Sequence, residues 1–210
     1  MTMLKRLGLG LVALSMSAMS FAADYVEGKH YFVLEKPVKT SSANRVEVVE
    51  AFGYPCPHCN AFEPILKHWK GQQSADVSVK ELPVMFGRSW TPFAQAYHTA
   101  DLLKVLDKTH QLTFDAYHIE RRRLTDKESF AELYAEAGVD KDKFTKAFDS
   151  FAVNMKMRQA DVKLREYNVD AVPMLFVNGK YKVTTDAGSY QDMLKVVDYL
   201  VEKERTMMAN

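Results

Sequence analysis

The chain has 210 residues, with 28 Lys and Arg against 27 Asp and Glu, a formal net charge of +1, and two cysteines. Because 47% of its residues are apolar, it carries enough material for a folded core, and disorder is excluded as its main state. The balanced charge lacks the basic excess typical of nucleic-acid-binding proteins. Two cysteines also exclude a disulfide-rich scaffold and a four-cysteine zinc site.

At the amino terminus, residues 1–22 show the pattern of a secretory signal peptide. Two basic residues are followed by an apolar run, and Ser20 and Ala22 occupy the −3 and −1 positions of a cleavage site. The apolar run is shorter than the roughly 20 residues that a membrane-spanning helix needs, which favours cleavage over a retained membrane anchor. We expect a soluble mature chain that begins at Ala23 and works outside the cytosol, where disulfides persist.

The next segment has the pattern of a strand, a helix and a second strand. Residues 45–52 are mostly β-branched and apolar, which predicts a buried strand. From Pro57 the apolar positions follow a helical period up to Gly71. Residues 77–82 alternate in polarity and are closed by Pro83, which indicates another strand. A βαβ unit of this kind places its two strands parallel.

The last segment predicts a hairpin and a closing helix. Residues 174–177 and 180–183 have strand character, and the Asn-Gly pair at 178–179 between them is a strong signal for a two-residue turn. An apolar stripe over about residues 189–203 predicts a carboxy-terminal helix.

Between these segments, residues 87–171 show mainly helical patterns. Residues 125–128, Thr-Asp-Lys-Glu, predict a capping box at the start of one helix, and Phe144, Phe148 and Phe151 mark another. The stretch exceeds an ordinary crossover connection, so we expect a helical domain inserted into an α/β domain.

Both cysteines lie in one Cys56-Pro57-His58-Cys59 motif between the first strand and its helix. Pro57 suits the first helical position, which makes Cys56 the predicted N-cap residue. There the helix dipole and unpaired backbone N–H groups favour a thiolate, and a protonated His58 adds to that effect. Cys59 lies one turn further on the apolar face, where a higher pKa is expected. Helix positions three apart are close enough for a disulfide, so the motif predicts a redox-active pair.

Three other uses of the motif are weaker. A static disulfide closing a four-residue ring gains little entropy. Zinc would need further ligands, and His98, His110 and His118 do not have the spacing of a ligand pair. Covalent haem attachment would need a histidine where the chain has Asn60. We therefore expect neither a metal nor an organic cofactor, and we interpret these histidines, with His68, as structural or surface residues.

Together with Val172-Pro173 ahead of the predicted hairpin, these elements resemble the thioredoxin superfamily. The Cys-Pro-His-Cys motif, the helical insertion and the signal-like segment resemble the DsbA family, periplasmic thiol oxidases of Gram-negative bacteria. The resemblance implies an α/β, thioredoxin-like fold with an inserted all-helical domain. The expected division is a signal peptide at 1–22, a thioredoxin-like domain at 23–86 and 161–210, and the insertion at 87–160.

The resemblance also implies roles for the site residues. Cys56 would form a mixed disulfide with the substrate, and Cys59 would close the ring. Val172-Pro173 would be a cis peptide facing the disulfide, with the Val172 backbone pairing to an extended substrate. The implied partners are newly translocated, cysteine-containing proteins and a DsbB-like, quinone-linked membrane protein that re-oxidises the pair. The chain itself is expected to act as a monomer in the periplasm.

Glu50 interrupts an apolar row on one face of the first predicted strand. Either this face is partly exposed near the strand end, or Glu50 is buried with a raised pKa and exchanges protons with Cys59. The resemblance favours the second interpretation, because DsbA-like proteins have an acidic residue at this place. They often have a basic residue near the position of Glu81, whereas Lys80 here falls on the opposite face, so a charge partner for Glu50 is not predicted.

Other functions remain open at this point. A disulfide isomerase or reductase of the same superfamily would share the motif, and a peptide-binding chaperone or a metal-handling protein would share the scaffold. Pro55 and Asn60, which flank the motif, depart from the usual family pattern and are expected to affect substrate preference.

Overall fold

The computed structural model describes residues 25–42 and 44–209, and these form a mixed sheet of five strands with seven α-helices. The predicted signal peptide lies outside the described residues. The strands are β1 (Phe32–Val33), β2 (Val46–Phe52), β3 (Val77–Pro83), β4 (Met174–Val177) and β5 (Tyr181–Val183). The helices are α1 (Pro57–Lys70), α2 (Thr91–Leu102), α3 (Leu106–His118), α4 (Lys127–Glu136), α5 (Lys141–Phe148), α6 (Phe151–Glu166) and α7 (Tyr190–Met208). The expected α/β fold with a helical insertion is confirmed.

The sheet has the strand order β1-β5-β4-β2-β3. The β2 and β3 strands are parallel, as the βαβ pattern predicts, and Glu50 of β2 lies opposite Glu81 of β3. The β4 strand runs antiparallel to β2 and β5, and β1 pairs antiparallel with β5. The β2 strand is therefore central, which explains why all seven of its residues are buried.

Helices cover both faces of the sheet. Val46, Val48, Leu175 and Val177 pack against α1 and α7 on one face, with Phe62 from α1 in the same cluster. On the other face, the alternate residues of β2 and β4 pack against the end of α6. Burial of both faces accounts for the continuous apolar character of these strands in the sequence.

The helical region between β3 and β4 comprises α2 to α6. Its aromatic core includes Phe93, Phe114 and Phe130, and the same cluster contains Cys56 and Cys59. The helical region therefore packs directly against the end of β2 that carries the Cys-Pro-His-Cys motif. The exact boundaries given above for the domains stay predictions.

The Asn178-Gly179 turn is confirmed. Both residues have positive φ, at 48° and 66°, and the Lys180 N–H donates to the Val177 carbonyl at 3.0 Å. The strands pair Val177 with Tyr181, however, so three residues and not two connect them. The carboxy-terminal helix begins where expected, with Ser189 as its N-cap, but continues to Met208 instead of ending near Lys203. No helix within residues 25–42 and 44–209 is long and apolar enough to cross a membrane.

Two details of the helical region differ from the sequence expectation. The capping box of α4 is formed by Asp126 and Ser129, one residue later than predicted, because the Ser129 N–H donates to the Asp126 carboxylate at 2.9 Å. Phe151 does not extend the helix that carries Phe144 and Phe148. Ser150 caps a new helix there, and the Phe151 side chain is 79% exposed.

Candidate active site

Cys56 is the N-cap residue of α1, as predicted. Its backbone is extended, with φ −81° and ψ 118°, and Pro57 occupies the first helical position. The β2 strand ends four residues earlier, and Gly53 in the connection has no room for a side chain because a Cβ there would overlap the ring of Trp90. The short connection and the proline together place the Cys56 sulfur at the positive end of the helix.

The two thiols are free and occupy different environments, with Cys56 7% exposed and Cys59 1% exposed. A hydrogen bond from the Cys59 thiol, with the backbone N–H groups of Cys59 and His58 and the His58 charge, lowers the pKa of Cys56 to about 6, although burial opposes this shift. Burial raises the pKa of Cys59 far above its usual range, and the hydrogen bond to Cys56 and the Glu50 carboxylate act in the same direction. The pair therefore has one stabilised thiolate and one buried thiol.

The Val172-Pro173 bond is cis and lies against Cys56. The Cys56 thiol donates to the Val172 carbonyl oxygen, with 3.5 Å between sulfur and oxygen, across 116 positions of sequence. Antiparallel pairing of β4 with β2 produces this approach, because the start of β4 then adjoins the end of β2. Cys56, Pro57, His58, Cys59 and the Val172-Pro173 segment therefore form one site.

Glu50 lies fully inside the protein, with 1% exposure, so the alternative of a partly exposed strand end is wrong. Its Oε2 atom has no hydrogen-bond partner among the described residues. Burial raises the pKa of Glu50 well above its usual range, and the carboxylates of Glu63 and Glu81 raise it further, whereas Lys70 opposes the shift. The buried position therefore favours the protonated form of this carboxyl group, which acts electrostatically on Cys59.

Lys70 is a basic partner for the buried carboxylates near Glu50, and the sequence pattern does not predict it. Lys70, the last residue of α1, forms an ion pair with Glu81, whose second oxygen accepts a hydrogen bond from the Tyr97 hydroxyl at 3.2 Å. Lys80 pairs instead with Glu47 at 3.1 Å. The cation comes from the helix that connects β2 to β3, and only the packing of α1 on the sheet brings it there.

The histidines of α3 have structural contacts, consistent with the interpretation from sequence. His110 places Nδ1 2.8 Å from the Tyr54 hydroxyl and Nε2 3.2 Å from the Glu63 carboxylate. His118 donates from Nε2 to the Tyr54 carbonyl at 2.7 Å. These contacts join the insertion to the segment that precedes Cys56.

A groove of about 1400 Å³ lies beside the Lys70–Glu81 ion pair. Glu63, Lys70, Glu81 and His110 are among its lining residues, but neither cysteine is. The groove is therefore separate from the site of the thiol chemistry.

Phe86, Trp90 and Val172 form an apolar group that packs on the cluster containing Cys56. The rings of Phe86 and Trp90 are 5.5 Å apart, and Phe86 is exposed. Trp90 and Val172 both pack, partly buried, on the cluster that contains Cys56. Sequence patterns did not single out Phe86 or Trp90, because they lie in a loop and at a helix start without a periodic signal.

One further residue contacts the motif. The hydroxyl oxygen of Tyr190, the first residue of α7, lies 3.2 Å from Nδ1 of the exposed His58 side chain. The contact spans 132 positions of sequence, so no local pattern could have indicated it.

The sequence matches the family described as DSBA-like thioredoxin domain over residues 47–198. It is 41% identical over 185 residues to the thiol:disulfide interchange protein DsbA of Pseudomonas aeruginosa, which is 88% of each chain. This protein belongs to the DsbA family. DsbA of Pseudomonas syringae is also 41% identical, over 93% of this chain and 92% of the relative.

Solved structures of the DsbA family share the whole fold. The crystal structure of Pseudomonas aeruginosa DsbA superimposes with a TM-score of 0.86 at 40% identity, covering 90% of this chain and 99% of that chain. The oxidoreductase DsbA from Xylella fastidiosa gives a TM-score of 0.82 at 33% identity, covering 87% and 98%. With its free cysteine pair, this member of the DsbA family is a thiol:disulfide oxidoreductase.

Proposed function

We propose that the protein transfers a Cys56–Cys59 disulfide to newly exported, cysteine-containing proteins in the periplasm of a Gram-negative bacterium. The observation that carries this proposal is the asymmetry of the pair. Cys56 lies at a helix N-terminus with a pKa of about 6, next to the Val172 carbonyl, while Cys59 is buried with a raised pKa.

The proposed reaction has two exchange steps. A substrate thiolate attacks the Cys56 sulfur, the Cys56–Cys59 bond breaks, and Cys59 leaves with the electron pair. A second substrate thiolate then attacks the substrate sulfur of the mixed disulfide, and Cys56 leaves as a thiolate. The substrate loses two electrons and the enzyme gains them. Because the lowered pKa of Cys56 stabilises the reduced enzyme, the couple is expected to be oxidising.

Glu50 has a proposed part in the first step. Cys59 leaves as a thiolate, yet its environment strongly favours the thiol, so it needs a proton. The Glu50 carboxyl group acts electrostatically on Cys59, and burial favours its protonated form. It is therefore suited to give a proton to the departing sulfur and to take one back when the pair is oxidised again.

The substrate is proposed to bind in an extended form along the Val172-Pro173 segment. The Val172 backbone next to Cys56 would pair with the substrate chain, and Phe86 and Trp90 would contact apolar side chains. This surface supports recognition of unfolded chains by backbone and apolar contacts. Apolar contact of this kind does not depend on a particular substrate sequence.

Re-oxidation is proposed to come from a DsbB-like, quinone-linked membrane protein, with the chain acting as a monomer. The signal-like pattern of residues 1–22 supports a periplasmic location, as does the relationship to DsbA proteins of Pseudomonas species. No metal or organic cofactor is part of the proposed reaction, since electrons move between sulfur atoms alone.

Trapping of the mixed disulfide tests this function. In a Cys59→Ser variant, the Cys56 thiolate attacks a disulfide of an exported protein, and the other substrate sulfur leaves as a thiolate. Because no second cysteine can displace the substrate, these adducts on Cys56 should accumulate and be released by a reductant. Cys56→Ser is the matched control and should trap none. A Cys59→Ser variant that accumulates no adducts with exported proteins would contradict the proposal.

The reduction potential separates the oxidase from its alternatives. Equilibration with glutathione should give a potential well above that of thioredoxin, which is about −270 mV. A potential at or below that value would favour a reductase. Tight stoichiometric zinc binding by the reduced protein would favour the metal-handling function.

A further inference from the structure

We propose that Tyr190 is a positioning residue, which holds the imidazole of His58 and through it stabilises the Cys56 thiolate. The inference deepens the proposed function, because it rests on Cys56 being the sulfur that substrates attack. It assigns a role in the redox site to the start of α7, a helix that otherwise serves to cover the sheet.

The contact joins two helix N-termini. His58 occupies the second position of α1 and Tyr190 the first position of α7, with 3.2 Å between the tyrosine oxygen and Nδ1 of the imidazole. His58 is exposed, and exposed side chains change rotamer within picoseconds to nanoseconds when nothing holds them. No other hydrogen bond is made by the His58 side chain to the described residues, so Tyr190 is the contact that restricts it.

Tyr190 is itself held in place. Its ring packs on Phe62, with 5.2 Å between the ring centres, and Phe62 lies one helical turn beyond His58 on α1. Its backbone is fixed by the capping box of α7, in which the Asp192 N–H donates to the Ser189 hydroxyl at 3.2 Å. The Ser189 N–H donates in return to the Asp192 carboxylate at 3.1 Å. The hydroxyl therefore has a defined position.

Electrostatics connect this contact to the Cys56 thiolate. Burial and the two cysteine sulfurs raise the pKa of Tyr190, so its hydroxyl stays neutral. The hydrogen bond between the Tyr190 hydroxyl and Nδ1 holds the imidazole in one orientation beside Cys56. A positive His58 lowers the pKa of Cys56. Tyr190 thereby favours the Cys56 thiolate through His58, without a hydrogen bond of its own to the sulfur.

Removal of the hydroxyl tests the inference. In Tyr190→Phe, the thiolate equilibrium of Cys56 should shift about threefold toward the thiol, since one neutral hydrogen bond is lost. The ultraviolet absorbance of the thiolate against pH measures this shift. Equilibration with glutathione should show that the equilibrium constant for reducing the enzyme falls by a similar factor. Tyr199→Phe is the matched control, because Tyr199 is on the same helix but packs on Tyr25 and Tyr31.

A double-mutant cycle shows whether Tyr190 acts through His58. In a His58→Ala background, Tyr190→Phe should leave the Cys56 titration unchanged. The inference is overturned if Tyr190→Phe leaves the titration of the unmodified protein unmoved, moves it toward the thiolate, or shifts the His58→Ala variant equally. If Cys56 of the unmodified protein titrates as an ordinary thiol, the proposed function itself fails, which is a different result.

Discussion

At the scale of single residues, the thiols of Cys56 and Cys59 have opposite pKa shifts because of their positions in the helix. Cys56 receives hydrogen bonds from Cys59 and from backbone N–H groups at the helix start, which favour its charged form. Cys59 donates that hydrogen bond, is more deeply buried and experiences the charge of the Glu50 carboxylate. All three effects favour the neutral thiol of Cys59. A spacing of three residues is enough for this difference because a helix end changes character within one turn.

The pKa of Cys56 makes the stability of the reduced protein depend on pH. The folded-state pKa of about 6 lies below the value of about 8.5 for an unfolded thiol. The stabilisation is therefore complete above the unfolded value and is lost as the pH falls through about 6. Linkage predicts a contribution of about 1.4 kcal/mol at pH 7 and almost none at pH 5.

Urea unfolding of the reduced protein and of reduced Cys56→Ala at both pH values measures this contribution. The difference in unfolding free energy between the two proteins should grow by about 1.4 kcal/mol from pH 5 to pH 7. Subtracting the variant removes the other titrating groups, which the two proteins share. A difference that stays constant over this range contradicts the lowered pKa.

At the scale of elements, the β4–β5 hairpin is held by a close backbone approach. Val38 donates its N–H to the Gly179 carbonyl at 2.7 Å, and a Cβ at Gly179 would overlap the Val38 carbonyl oxygen. Gly179 also has a positive φ of 66°. Glycine is therefore needed here for two reasons, conformation and space, and the turn sets the register of β4 that brings Pro173 toward Cys56.

Alanine substitution separates these two reasons. Gly138 has a φ of 80°, and a Cβ at this position would meet no atom within 4 Å, so Gly138→Ala should cost only the conformational strain of about 1–2 kcal/mol. Gly179→Ala adds the overlap with backbone and should cost about 1–3 kcal/mol more. Chemical denaturation of both variants measures the difference. Equal losses of stability would contradict the close approach.

At the scale of the whole molecule, the helical insertion and the sheet domain share one core around the cysteines. Phe52 and Tyr54 from the sheet side lie in the same cluster as Phe114 and Phe130 of the insertion. Hydrogen-bonding contacts of Tyr54 with His110 and His118 add polar links. Two regions with so much shared buried surface are expected to unfold together.

The two tryptophans report on different parts of this core. Trp69 lies between α1 and α7 and donates to Asp198 at 2.8 Å, whereas Trp90 lies at the start of the insertion, against Gly53. In each single-tryptophan variant, the fluorescence midpoint in urea should coincide with the far-ultraviolet circular dichroism midpoint of the same variant. A tryptophan whose signal changes at a different urea concentration would show that the two regions unfold separately.

Local sequence signals predict the structure correctly where a residue type strongly prefers one backbone conformation. Asn178-Gly179 and Pro57 have backbone preferences that tertiary contacts do not alter, and both predictions are confirmed. The sequence predicts the capping box one residue early because Thr125 and Asp126 are both good N-cap residues. The apolar period predicts the wrong helix for Phe151, because the period does not show the break that the Ser150 cap introduces.

The sequence by itself determined the cysteine motif at a helix start, the two pairs of strands and the helical stretch between them. These follow from local backbone preferences and from periodicity, which act over a few residues. Only the tertiary structure decided that Glu50 is buried, that Lys70 and not Lys80 reaches Glu81, and that Val172 and Tyr190 contact the motif. Those contacts depend on the register and packing of elements that are distant in the sequence. Burial from solvent and the pairing of charges arise only when these elements have packed together.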